Sequence, residues 1–246
     1  MDAADIALVT FSIALGGFLK GATGAGAPVV GVPMLAIAFG VPKAVAIFSL
    51  LNLLSNMWQA WAYRGALGRA RFVWTFAISG ALGAVVGSVI LASLPTEVLM
   101  GGLAIIVLIY IAMRLARPNW QLARDRGEGL AAPAGLIAGL MQGAGGISAP
   151  VSVTFLNAMR LERSEFVATI SVFFFTMSAL QIPTLIALGI LTWERAGVAL
   201  LGAIPLFIAM PLGEAAAKRI SKQTFDKLIL ALLALVALRL MYTALT

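Results

Sequence analysis

The sequence predicts an all-α polytopic membrane protein made of two inverted repeats. Each repeat is a broken or re-entrant helical hairpin followed by three transmembrane helices. Three observations carry this reading. Apolar runs recur along the whole chain, with 61% hydrophobic and 11% charged residues and a mean hydropathy of +1.03. A soluble domain would carry roughly a quarter charged residues. Two of the apolar runs are too long for one span and are broken by glycines near their middles. The first half also matches the second at a fixed offset.

The apolar segments lie at 6–40, 43–63, 71–94, 97–114, 130–159, 164–188, 195–214 and 226–243. A spanning helix needs about 20 residues. Six segments fit that length, and the first and fifth exceed it. The first contains GATGAGAP, Gly21 to Pro28, directly after Lys20. The fifth contains GAGGISAP, Gly143 to Pro150. Glycine permits a tight turn and close backbone approach. Proline suits the first turn of a returning helix, where its missing N–H is not needed. Each motif therefore reads as the tip of a hairpin, with Pro28 and Pro150 opening the returning half-helices. Glycines that only let helices pack closely are the plainer alternative.

The second segment ends in Trp58, Trp61 and Tyr63 beside a basic loop, which marks a membrane interface. It also carries Ser49, Asn52, Asn56 and Gln59 at spacings that put them on one helix face. Gly80, Gly83 and Gly87 give the third segment a small-residue face suited to helix packing.

Basic residues fix the sidedness. Arg64, Arg69 and Arg71 follow the second segment, and Arg114, Arg117, Arg124 and Arg126 follow the fourth. Lys218, Arg219, Lys222 and Lys227 follow the seventh. The positive-inside rule places all three loops in the cytoplasm. Eight single crossings cannot do that. A fifth segment that enters and leaves on one side can, and it brings Arg160 and Arg163 inside too. If the first segment does the same, both termini lie outside, and 13 of the 17 Lys and Arg face the cytoplasm.

At an offset of 122 residues, Gly17, Gly21, Gly24, Ala27, Pro28 and Val29 fall on Gly139, Gly143, Gly146, Ala149, Pro150 and Val151. Val45, Ala46, Ser49 and Gln59 fall on Val167, Ala168, Ser171 and Gln181. An offset of 119 also aligns the two GAG triplets, so the glycine register has two solutions. The repeats divide the chain into 1–117, a cytoplasmic linker 118–129, and 130–246. An odd number of crossings per half inverts one half relative to the other, the plan of secondary transporters with a midplane site.

Helix starts at the two tips would offer free N–H groups and partial positive charge, which suit an anion. Candidate substrate contacts are Lys20, Thr23, Gly24 and Gly26 at the first tip, and Gln142, Gly145, Gly146 and Ser148 at the second. Ser49, Asn52, Asn56 and Gln59 join them, with Ser171, Ser178 and Gln181 from the repeat. Lys20 is the one ionisable residue placed deep in the bilayer, with no acid at comparable depth. An anionic substrate would pair it, or it ends a half-helix and snorkels. Asn and Gln could equally serve as interhelical glue.

Gly17, Gly21, Gly24, Gly26 and Pro33, with Gly139, Gly143, Gly145, Gly146 and Pro150, and the V-A-x-x-S stretch after each set, resemble the sulfite exporter TauE/SafE family of anion permeases. The resemblance implies transport of sulfur oxyanions or organosulfonates, often as export, across the inner membrane. The chain departs from the usual glycine run at Ala27 and Pro28, and Lys20 is not part of the family pattern.

The expected function is secondary transport of small sulfur-containing anions by alternating access. An anion channel, or a permease for another oxyanion or carboxylate, is the alternative. Cysteine and histidine are absent, which removes disulfides, thiolate chemistry and the commonest metal ligands. An intramembrane enzyme would also lack a close carboxylate pair. The expected partners are a small anion and the lipid bilayer, with no nucleic acid, cofactor or metal; a homodimer is allowed. The +7 net charge reflects basic loops on one membrane side.

Overall fold

The computed structural model describes residues 2–116, 120–219 and 222–245, with side chains left out for 222–226 and 245. Arg117, the 117/118 repeat boundary and the Lys222 side chain therefore lie outside the described residues. The described chain is helical throughout. Helix α1 (Ala3–Thr23) starts on a capping box between Asp2 and Asp5 and ends at Gly24 in the left-handed region. Helix α2 (Ala27–Phe39) follows within three residues, with Pro28 in its first turn. Gly26 and Ala27 lie against the backbone of Leu19 and alongside Gly16, so α2 doubles back along α1.

Helix α3 (Val41–Ala62) starts with Pro42 in its first turn, after Gly40. Helices α4 (Ala70–Ser93) and α5 (Thr96–Ala116) complete the first half. The second half comprises α6 (Arg124–Gly129), α7 (Ala131–Gly145), α8 (Ser152–Ala158), α9 (Arg163–Ala187), α10 (Trp193–Ala217) and α11 (Lys222–Leu245). The eight apolar segments thus appear as helices or broken pairs, with ends displaced by a few residues.

Two expectations need correction. Pro150 does not open the returning helix of the fifth segment. Residues 149–151 form a turn, and α8 starts at Ser152 and lasts seven residues, about 10 Å. The local bonding differs there: Ser152 Oγ also donates to Ser148 O, and Thr154 N reaches five residues back to Ala149 O at 3.4 Å, out of the helical register. Second, among the described residues the six helices long and apolar enough to cross a membrane include α1 and exclude α3. Helix α3 has the length, but its polar face lowers its hydropathy. That face is tolerated because α3 packs against α2, α9 and α10 at the centre of the bundle.

Helices α4 and α10 turn Trp74, Ile78, Leu82 and Val86, and Leu200, Leu201, Ile204 and Ile208, outward. These form the apolar surface a bilayer would cover. Their inner faces grip the hairpins of opposite halves: α1 packs on α10, and α7 packs on α4. Any side chain at Gly17 or Gly21 would strike the carbonyls of Leu206 and Met210. Any at Gly139 or Gly143 would strike those of Gly80 and Ala84. The Gly80, Gly83 and Gly87 face is accordingly a packing face, against Phe173 and α7.

One end of the bundle is basic and tied together by ion pairs. Arg69 pairs with Glu128 at 3.0 Å, and Arg124 with Glu128 at 3.6 Å and with Glu165. Exposed pairs of this kind contribute about 0–1 kcal/mol each, so they matter here as markers of position. Leu122 N donates to Ala158 O at 2.8 Å, which brings the end of α8 back to the linker beside the start of α7. The fifth segment therefore begins and ends at the same face, beside Arg69, Arg124 and Arg163.

Candidate functional site

Both hairpin tips use the same backbone device. Gly24 N donates to Lys20 O and Gly146 N to Gln142 O, each at 2.7 Å, with both glycines at positive φ. Only Gly adopts that conformation at no steric cost. Beyond it the tips differ. At the first, Thr23 Oγ1 donates to Leu19 O at 2.8 Å and accepts from Ala25 N at 3.3 Å. No side chain caps α2. At the second, Ser148 O holds Val151 N and Ser152 N, Ser152 Oγ donates back to Ser148 O, and Thr154 N reaches Ala149 O. At the first tip Val29 N likewise donates to Gly26 O at 3.2 Å, so some of the expected free amides are bonded locally at both tips.

The expected lysine is buried inside the bundle. Lys20 is 1% exposed, and its Nζ donates to Asn56 Oδ1 at 2.7 Å. Asn56 Nδ2 in turn donates to Asn52 O at 2.8 Å. Among the described residues no carboxylate pairs with Lys20. The partner is thus a neutral amide 36 residues away, which orients the Lys20 Nζ.

The polar faces of α3 and α9 are both buried, as expected. Gln59 Oε1 accepts from Ser171 Oγ at 3.4 Å, and Ser49 Oγ bonds its own helix at Ala46 O. Ser178 is buried. Asn52 and Gln181 have both side-chain polar atoms buried without a partner, and Gln142 Oε1 is in the same state. A buried polar atom without a partner costs about 1–3 kcal/mol. Three such amides in one bundle mark a place where another arrangement, or a ligand, satisfies them. Gly145 and Gly146 instead lie against Leu103, Ile106, Val32 and Val45, a wholly apolar setting.

A cavity of about 460 Å³ opens beside the tips. Thr23, Gly26 and Ala149 line its inner part, from the two tips. Leu19, Val29, Val153, Phe166 and Ile229 give it apolar walls. Tyr110, Arg114, Asn157 and Arg163 add polar groups. Of the residues expected at the site, Thr23 and Gly26 face this cavity. Lys20 and the α3 and α9 amides lie in the packed interior, and Ser148 is buried. The arrangement is a partly apolar chamber with two arginines in its lining and the start of α2 at one end. Chemically, that suits an anion with an apolar part.

Arg114, Arg163, Asn157 and Tyr110 escaped the sequence reading as site residues. The two arginines read only as loop charge. No local signal distinguishes them, because only the fold brings the last turn of α5 to the first turn of α9.

A family model described as Sulfite exporter TauE/SafE matches residues 9–240. The chain belongs to this family, and with its six apolar helices it is a multi-pass membrane protein of a transporter family. No curated protein and no solved structure matches it.

Proposed function

We propose that this protein is a secondary transporter that exports a small sulfur-containing anion by alternating access between inverted repeats. The observation that carries the reading is the cavity that reaches Thr23, Gly26 and Val29 at the start of α2, with Lys20 buried one turn before the tip. The amides, the helix dipole and the cation all favour negative charge at that point. Family membership favours a sulfur anion such as sulfite.

The inverted repeat is supported by the packing. At the 122-residue offset α3 falls on α9 and α4 on α10, and the hairpins exchange partners across the halves. Gly24 abuts Val167 while Gly146 abuts Val45, and these two contacts are equivalents of each other. A carrier is favoured over an open pore because the second tip packs on Val32 and Val45 behind the cavity. We place the basic face in the cytoplasm of an inner membrane, with both termini outside. The cavity then opens inward.

The test is binding of sulfite, sulfate, thiosulfate, sulfoacetate, taurine and acetate to the purified protein, with Lys20→Ala alongside. Selective binding of a sulfur oxyanion or sulfonate, weakened more than tenfold in a well-folded Lys20→Ala variant, is expected. Unchanged affinity in that variant removes Lys20 from the site. Failure to bind any sulfur anion sinks the substrate assignment.

A further inference from the structure

Trp58, Trp61 and Tyr63 mark a membrane interface in the sequence, and the transport reading makes no use of them. Around them the basic end of the bundle is also apolar. Met57, Trp58, Trp61 and Leu67 are all exposed there, Trp61 at 68%. Trp58 meets Phe207 of α10 edge-on, with ring centroids 6.5 Å apart. Phe207 stands one turn after Ile204 in the outward apolar row of α10. The patch therefore continues the surface a bilayer would cover.

Arg64 lies over this patch. Its guanidinium stacks on the Trp61 ring, 4.2 Å from the centroid, and its Nη1 donates to Trp61 O at 2.7 Å. Both contacts come from one residue three positions back, and together they hold the planar group in one orientation. That bond uses one of the five N–H donors of a guanidinium. Glu128 and Glu165, the acids engaged at this end, are held by Arg69 and Arg124. No carboxylate among the described residues pairs with Arg64. A charged side chain ordered in advance loses less freedom when it binds.

Exposed indole rings settle at the depth of lipid headgroups. A guanidinium stacked on one lies at that depth too, among phosphates. Guanidinium holds phosphate through paired N–H donors.

We propose that Arg64, on its Trp61 platform, binds the phosphate of an anionic phospholipid whose chains lie along Trp58 and Phe207. The occupant is a lipid and not a soluble anion, because the apolar patch beneath the guanidinium runs into the bilayer-facing surface. A zwitterionic lipid carries the same phosphate together with its own cation, so an unpaired arginine selects the head with net negative charge. The site rests on the membrane placement of the chain and is independent of the transport reading.

The test is native mass spectrometry of the full chain in detergent. Phosphatidylglycerol and phosphatidylcholine with the same acyl chains are offered in equal amounts. The parent should retain phosphatidylglycerol about fivefold over phosphatidylcholine, the pull of one arginine on an anionic leaflet. Arg64→Gln should abolish that preference. Trp61→Leu keeps the charge, removes the platform and should reduce the preference. Arg239→Gln removes an equal charge from an arginine that faces the Tyr242 ring at 5.5 Å on α11, and should leave the preference intact. Free glycerol phosphate should not displace the lipid.

A preference that survives Arg64→Gln overturns the proposal. Equal loss in Arg239→Gln does so too, since net charge alone then selects the lipid. An unchanged preference in Trp61→Leu removes the platform, and displacement by glycerol phosphate turns the site into one for soluble anions. A dimer that dissociates on Trp61→Leu gives the patch to a second copy of the chain. Arg64 and Trp61 are both exposed, so the variants should keep the fold. Should Arg64→Gln fail, Arg64→Lys decides: it keeps the charge without the planar fork, and an undiminished preference there overturns the site.

Discussion

At Gly24 and at Gly146 the backbone does the same thing. A helix ends, the glycine enters the left-handed region, and its N–H returns to the carbonyl four residues back. After Gly24 the chain enters a 13-residue helix within three residues, with Pro28 in the first turn and no side-chain cap. After Gly146 it takes a closed serine turn and makes only the seven-residue α8. Phe155 then fastens α8 to Phe76, with ring centroids 5.5 Å apart, and Phe76 stacks on Phe173 at 4.2 Å. The residue four before the glycine is Lys20 in one hairpin and Gln142 in the other. One backbone motif thus supports two roles. The first tip carries a buried lysine and the longer returning helix, and the second carries a buried glutamine and packs on Val32 and Val45.

The largest expected effect tests what the hairpins share. Gly21→Leu would drive a side chain into the Met210 carbonyl, and Gly143→Leu into that of Ala84. Overpacking costs about 1–3 kcal/mol and sometimes more, and rigid backbone offers no relief. Both variants should lose the monodisperse detergent-extracted protein. Gly102→Leu, with nothing within 4 Å of its Cβ position, should keep it. Tolerance at one hairpin only would break the equivalence of the two helix contacts.

Next is the contrast between Lys20 and Gln142. Asn56→Leu strips the buried ammonium of its acceptor, a charged hydrogen bond worth about 1.5–3 kcal/mol. Lys20→Met strips Asn56 of its donor. Each single change should lower thermal stability, and the pair together should restore much of it. Anion binding should stay lost in the pair, because the charge is gone. Recovery of binding along with stability would make Lys20 a packing residue.

Much of this was legible in the sequence. Apolar runs give helices by periodicity and length, and loop charge gave the common face of both ends of the fifth segment, where Leu122 meets Ala158. The polar faces of α3 and α9 were readable because helical spacing fixes which residues line up. What stayed hidden depends on contacts distant in the chain or on local competition. Asn56 could be placed on the polar face, but not aimed at Lys20. Pro150 looked equivalent to Pro28, but the bond from Thr154 N to Ala149 O takes the backbone after it out of helical register. Arg114 and Arg163 meet one cavity only because α5 and α9 converge at its mouth.

The smallest effect concerns the pair of glutamines at equivalent positions. Gln59 Oε1 accepts from Ser171, whereas both polar atoms of Gln181 are buried without partners. The 122-residue offset maps Gln59 and Ser171 onto Gln181 and Ser49. Ser49 is turned to Ala46 O. Removing a bond as long as 3.4 Å costs little, so Gln59→Leu should lower stability by under about 1 kcal/mol. Gln181→Leu should act with the opposite sign, raising the apparent Tm, because it removes two desolvated and unsatisfied atoms. If the outward-facing state exchanges the pairs, Gln181 bonds Ser49 there, and Gln181→Leu penalises that state alone. A more stable protein with slower sulfur-anion flux is then the expected outcome. A Gln181→Leu variant that is stabilised and transports at the normal rate would show that the exchange does not occur, and the two halves would be alike in ancestry without trading roles during the cycle.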